Sequence, residues 1–240
     1  MKRAFVTALA FSLLATAWPV SATTCTPTGL IRDGRDLTAA VVNPPAFTGP
    51  LDAAGCDIGI YVGPGATSSI VDADIFNAVY FGLAVQTGKA TISGSSVHDI
   101  GDTPLSGAQH GVAIAYLEGA SGTADGNTVW NYQKNGMLVN GDGTSADLTN
   151  NTVTGSGPTR RIAQNGIQVS RGATANLSGN VVSDNIYTQN PTCAPECVGS
   201  AVGVTATGFL IFEAGADYKT GEIARSNRAF RNQCGFCVFK

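Results

Sequence analysis

Residues 136–156, GMLVNGDGTSADLTNNTVTGS, and residues 166–185, GIQVSRGATANLSGNVVSDN, state one pattern twice. Each opens on a glycine, Gly136 or Gly166, followed by apolar residues at the first and third places: Met137 and Val139, then Ile167 and Val169. A short glycine-containing turn comes next. A second segment then sets Leu148 and Val153, or Leu177 and Val182, around Asn151 or Asn180. A spacing of two is the period of a β-strand, whose alternate side chains share a face. A strand, turn and strand recurring as a unit predicts a solenoid, in which each copy buries its apolar face only by stacking on the next.

Working outward, the opening of glycine, apolar, any, apolar recurs at Gly59, Gly82, Gly111, Gly136, Gly166, Gly208 and Gly235, at intervals of 23, 29, 25, 30, 42 and 27 residues. The second segment recurs as Ile70 and Ile75, Ile92 and Val97, Ala124 and Val129, Leu148 and Val153, Leu177 and Val182, and Ala224 with Ala229. Between these inward pairs lie Asn127, Asn151, Asn180 and Asn227 in four consecutive coils. Stacked at the strand repeat of about 4.8 Å, their amides are expected to bond along the axis as a ladder.

These stretches carry a family resemblance. GCDIGIYVGPG (55–65), HDIGDTPLSGAQHG (98–111), VWNYQKNG (129–136) and IAQNGIQVSRGATANLSGN (162–180) resemble the secreted bacterial right-handed parallel β-helix proteins of the pectin-lyase-like superfamily. The resemblance runs from about Gly55 to the C-terminus and implies an all-β, single-domain solenoid of about seven coils. It implies carbohydrate chemistry only loosely, because lyases, hydrolases, epimerases and adhesins share the fold. A left-handed β-helix runs on hexapeptides and shorter coils. An antiparallel sandwich does not explain why the glycine keeps its place.

Lys2 and Arg3, the apolar run Ala4 to Trp18 and the small residues Val20-Ser21-Ala22 have the three parts of a secretory signal peptide, with the expected cut after Ala22. The protein is therefore expected to be secreted, to the periplasm or outside the cell. Losing those two cations takes 14 basic against 17 acidic residues to 12 against 17, an acidic balance that argues against nucleic acid as partner. No later stretch is long and apolar enough to span a bilayer. Residues 23–54, with Pro44, Pro45 and Pro50, break the repeat and are expected to cap the N-terminal end, leaving 55–240 as the helical domain. Six cysteines in an exported chain suggest disulfides. Cys25 and Cys56 would tie the cap to coil one, while Cys193, Cys197, Cys234 and Cys237 allow three pairings or a zinc site. No cofactor is expected, with calcium and zinc left open. The chain stops at Val238-Phe239-Lys240, partway through the last coil, so that end is expected to be covered by the insertion from Ile186 to Thr207, by a second copy through self-association, or by residues of a longer protein.

Three longer excursions, Gly101 to His110, Gly155 to Asn165 and Ile186 to Thr207, all precede a coil glycine and are expected to emerge along one edge. Loops gathered on a rigid scaffold are where binding sites sit. The edge would bring together Asp99, Asp102, His110, Tyr132, Gln133, Lys134, Arg160, Arg161, Gln164 and Asn165, with His110, Asn135 and Asn165 stacked. Cations there suit an acidic sugar polymer and amides suit its hydroxyls, although polar corners and Asn-Gly turns need no ligand. An outward strip, Phe76, His98, Trp130, Thr154, Ser183 and Phe230, begins with three rings that would offer a stacking platform to sugars, Trp130 first among them. A second outward strip, Tyr61, Ala84, Ala113, Leu138, Gln168, Leu210 and Cys237, is apolar, so the N-terminal segment, a loop or another molecule is expected against it.

The motifs that resemblance to polygalacturonases would require, an Asn-Thr-Asp, an Asp pair and a Gly-His-Gly, are missing. The pairs Asp72 with Asp74 and Asp142 with Asp147 lack a third acid in register, so hydrolysis and calcium-dependent elimination have no visible machinery. What remains is a lyase or epimerase in which His110 or Lys134 removes the proton beside a uronate carboxylate neutralised by Arg160 or Arg161. Three functions stay open: a scaffold binding extracellular polysaccharide, that lyase or epimerase, and a structural or adhesive surface protein.

Overall fold

A computed structural model describes residues 20–21, 24–188 and 205–240. Most of the expected signal peptide, Cys193, Cys197 and most of the third excursion lie outside the described residues. The chain winds into a parallel β-helix with three faces per coil. The first face stacks seven strands, Ile58–Val62, Phe81–Gln86, Val112–Leu117, Asn135–Asn140, Asn165–Ser170, Thr207–Phe212 and Cys234–Phe239, in parallel register. The second face runs from the first half of Thr67–Phe76 through Lys89–Ser93, Ser121–Asp125 and Ser145–Thr149 to Thr174–Ser178. The third runs from the second half of Thr67–Phe76 through Ser96–Ile100, Thr128–Tyr132, Thr152–Thr159 and Val181–Tyr187 to Arg228–Phe230.

The coils turn at backbone positions that are left-handed whatever residue occupies them. Thr87, Glu118, Arg171 and Glu213 follow the first face with φ between 49° and 55°. Asp99, Asn131 and Asp184 bend the third-face strands from within and Arg231 directly follows its strand, with φ between 48° and 64°. Such positive φ is costly outside glycine and asparagine, so stacking must hold these residues there.

The core is the inward stripe read from the repeat. Ile70, Ile92, Ala124, Leu148 and Leu177 lie over one another, as do Ile75, Val97, Val129, Val153 and Val182, and all are buried. Opposite them stand Ile60, Leu83, Ile114, Met137, Ile167 and Phe209. The opening glycine has a steric cause, because a side-chain carbon at Gly136 or Gly166 would strike the opposing Val153 or Val182. Four asparagines form the expected ladder, each side-chain oxygen accepting from the amide below: Asn127 to Asn151 at 3.0 Å, Asn151 to Asn180 at 2.9 Å and Asn180 to Asn227 at 2.9 Å.

Two expectations need correction. In coil three the frame moves by two residues: Val112 pairs with Phe81 and Asn135, so Ala113 holds the glycine place, Ile114 and Tyr116 point inward, and Ala115 joins the outward strip. Gly111 instead turns the chain, at φ 82°. In coil six the second-face strand is replaced by a short helix, Thr220–Ser226, that buries Ile223 and leaves Ala224 exposed. A helix of about two turns presents a different side chain from a strand at the same count.

The N-terminal segment does more than cover an end. Arg35–Val42 and Ala46–Asp52 pair in parallel with the first strands of both sheets, and Thr26–Arg32 pairs antiparallel on the outside. Leu30 and Leu37 join Tyr61, Phe81, Ala84, Val112 and Ala115 in a second small core, so this segment covers the apolar strip over the first three coils. Cys25 and Cys56 are disulfide-bonded, as are Cys234 and Cys237.

Candidate functional site

The corner between the third and first faces carries the excursions, and where described they touch. A side-chain carbon at Gly107 would lie 3.5 Å from the Arg161 carbonyl, which puts the first excursion against the second. Thr159 accepts from the Thr188 amide at 2.9 Å, and Thr159 is paired with Tyr187, which puts the second against the start of the third.

Each excursion is tied down by one buried glutamine. Gln133 accepts from the Asp102 and Ser106 amides, both at 3.1 Å, and donates to the Ala108 carbonyl at 3.0 Å. Gln164 accepts from the Ser156 amide at 2.9 Å and donates to the Tyr132 carbonyl. Gln233 accepts from the amides of Ala206 at 3.0 Å and Tyr187 at 3.4 Å, while its own buried amide nitrogen has no partner among the described residues, so this third clamp uses the acceptor alone. A side-chain amide supplies a donor and an acceptor together, which a loop's unpaired backbone requires when it is held against a core. This repeated clamp was not recognised from the sequence; its signal is a glutamine one or two residues before the opening strand in three coils.

The expected site residues divide into three groups. Tyr132, Gln164 and Asn165 are inside. Tyr132 is fully buried, and its hydroxyl donates to Asn185 at 2.6 Å; burial raises the phenol far above its ordinary range. Asn185 continues to Asn232 at 2.9 Å, a second ladder that sequence reading missed. Asn165 pairs in register with Asn135 and accepts from the Thr207 hydroxyl at 2.9 Å. His110 does not join that stack, because the shifted frame sets Val112 there.

His110, Asp102 and Lys134 are at the edge. His110 Nε2 is 3.1 Å from Asp102 Oδ1, and its ring stacks on Tyr80 with centroids 4.4 Å apart. The Ser106 hydroxyl donates to the other Asp102 oxygen and, with His110 and Gln133, holds that carboxyl below its ordinary range against the opposing effect of burial. Lys134 donates to the Ala163 carbonyl at 2.9 Å, and burial pushes its ammonium down. Arg160 and Arg161 are exposed, and among the described residues neither has an acidic partner.

Asp99 and Trp130 belong to the third face. Asp99 Oδ2 lies 2.6 Å from His98 Nδ1, Asp74 Oδ1 lies 3.0 Å from His98 Nε2, and the Asn131 amide bonds the other oxygen of Asp99. The His98 ring is sandwiched between Phe76, at 5.3 Å, and Trp130, at 4.2 Å, both within 9° of parallel. The expected column therefore forms, but its inner ring faces are used up on one another. It presents edges to solvent, and its two end faces, that of Phe76 toward Asp52 and that of Trp130 toward Thr154, have no ring over them.

Among the described residues no three His, Cys, Asp or Glu side chains are grouped to hold a metal, and no helix is long and apolar enough to cross a membrane. The family model for the right handed beta helix region matches residues 52–211, and the chain belongs to that family. The solenoid is accordingly right-handed. No curated protein and no solved structure matches the chain.

Proposed function

We propose that this is a secreted β-helix protein of the pectin-lyase-like kind that binds an acidic extracellular polysaccharide along the corner between its third and first faces. One observation carries the reading: Arg160 and Arg161 stand exposed, without acidic partners among the described residues, where two clamped excursions meet. Guanidinium groups without acidic partners on a fixed backbone suit carboxylates, which they meet with paired N–H donors. Two disulfides and the signal-like residues 1–22 support export. The test is binding to an array of uronate-containing and neutral glycans. Uronate chains are expected to bind in a salt-sensitive way, and Arg160→Ala with Arg161→Ala to weaken them roughly tenfold or more. Binding that ignores both changes would remove the reading.

The His110 and Asp102 pair favours a second reading, a lyase or epimerase. A histidine oriented by a carboxylate, beside a lysine whose ammonium is depressed by burial, is a base arrangement for removing a proton next to a uronate carboxylate. Its sign is unsaturated product or epimerised sugar that His110→Ala abolishes.

A further inference from the structure

The two histidines of the chain are held in opposite ways. His98 has a carboxylate oxygen at each ring nitrogen, Asp99 at Nδ1 and Asp74 at Nε2, and an aromatic ring over each face. His110 has one carboxylate: Nε2 meets Asp102 at 3.1 Å, and among the described residues nothing bonds Nδ1. Nor is Nδ1 sealed from solvent, because Gln233 Nε2 is the one fully buried side-chain nitrogen or oxygen without a partner among those residues. A carboxylate accepts and cannot donate, so Asp102 draws the proton of the neutral ring to Nε2 and leaves the lone pair on Nδ1.

The His110 ring is fixed in two independent directions. Asp102 holds its edge, and is itself held by the Ser106 hydroxyl and by Gln133. Tyr80 holds its face, with centroids 4.4 Å apart and planes 29° from parallel. Tyr80 stands in the corner column: its amide bonds the Asp57 carbonyl and the Gly111 amide bonds its own carbonyl, so Asp57 lies one rung below and Gly111 one rung above. Gly111 carries no side chain, and the imidazole of the preceding His110 lies over the phenol.

Tyr80 is in turn gripped by the N-terminal segment. Between Thr26–Arg32 and Arg35–Val42 the chain turns at Asp33 and Gly34, both at positive φ. The Tyr80 hydroxyl donates to Asp33 at 2.9 Å, and the Arg35 guanidinium lies 5.0 Å from the ring centroid. Arg35 also bonds Asp57, which accepts from the Thr38 amide at 2.9 Å, so the guanidinium approaches from the lower rung and leaves the other face to His110. A flat ring bonded at its hydroxyl and stacked on both faces has little rotamer freedom left.

We propose that Tyr80, together with Asp33 and Arg35 of the cap turn, positions His110 so that Nδ1 is the proton acceptor of the site. A base held by contacts formed before substrate arrives needs little ordering when the proton is transferred. The inference rests on the lyase or epimerase reading above, and it gives the N-terminal segment a part in the site beyond covering the apolar strip.

Two measurements on the full chain test it without requiring turnover. In proton NMR the ring protons of His110 should be displaced upfield by the Tyr80 ring. The displacement should vanish in Tyr80→Leu and shrink in Asp33→Asn combined with Arg35→Met, both on exposed side chains. Diethyl pyrocarbonate, which acylates an imidazole nitrogen through its lone pair, should modify His110 at least about tenfold faster than His98, read by peptide mass spectrometry. An undisplaced His110 signal, or full displacement in the doubly substituted cap, overturns the positioning. Equal modification of the two histidines overturns the assignment to Nδ1. Both expected results without product from any uronate glycan leave the positioning standing and overturn the lyase or epimerase reading alone.

Discussion

The side-chain oxygen of Asn151 accepts two hydrogen bonds from Asn127, one from its backbone amide and one from its side-chain amide, both at 3.0 Å. Asn151 in turn donates to the Ala124 carbonyl and to Asn180, each at 2.9 Å. Each rung therefore satisfies the corner backbone of the coil before it, where strand pairing is interrupted.

Replacing Asn151 by alanine strands the buried amide of Asn127 and the carbonyl of Ala124. Two unsatisfied buried groups cost about 2–4 kcal/mol. Urea unfolding should show that loss, and an effect below about 1 kcal/mol would mean that the ladder is not structural.

Gly166→Ala is expected to destabilise by about 1–3 kcal/mol, because the new carbon meets Val182 and lies 2.7 Å from the Gly208 carbonyl. The double change with Val182→Ala should cost less than the two single changes added together, by at least about 0.5 kcal/mol. Strict additivity in a double-mutant cycle would show that the clash is not what requires glycine there.

Asp102 binds Ser106, His110 and Gln133 in its ionised form, and its carboxyl is lowered from 3.8. A depressed carboxylate contributes stability that is present above its unfolded value and is lost as pH falls through the folded one. The first excursion should thus resist limited proteolysis at neutral pH and open below about pH 4. Asp102→Asn should remove most of that acid dependence.

Gln133→Leu removes the acceptor for two loop amides and the donor to Ala108, so residues 101–110 should exchange amide hydrogen faster. The expected loss of global stability is about 1–3 kcal/mol. Unchanged exchange would show that the loop is held by other contacts.

Cys25→Ser opens a link spanning 31 residues. Loop-closure entropy sets the expected loss at about 3–4 kcal/mol, measured as a lower urea midpoint.

What was legible in the sequence was whatever repeats at constant spacing with a strong chemical signature. The glycine, the paired inward aliphatics, Asn127 to Asn227 and the order Phe76, His98, Trp130 all belong to that class. At Gly111 the sequence points to the wrong frame, because GVAI matches the pattern while Ala113 is small enough to take the glycine's place. Tyr132, Gln164 and Asn165 read as surface polar groups because burial of a polar side chain depends on partners brought from other coils: Asn185 for Tyr132, the Tyr132 carbonyl for Gln164 and Thr207 for Asn165. The corners were invisible for a related reason. Glu118, Arg171 and Arg231 have no intrinsic claim on left-handed backbone and take it only because neighbouring coils do the same.

Openings lie 23 to 42 residues apart, yet the inward rows stay aligned, because the largest surpluses leave at one corner. That corner behaves as a socket. Peptide cassettes such as 101–110 and 155–165 are interchangeable in principle between turns, given a glutamine to fasten each, so a new specificity can be grafted there without repacking the aliphatic column.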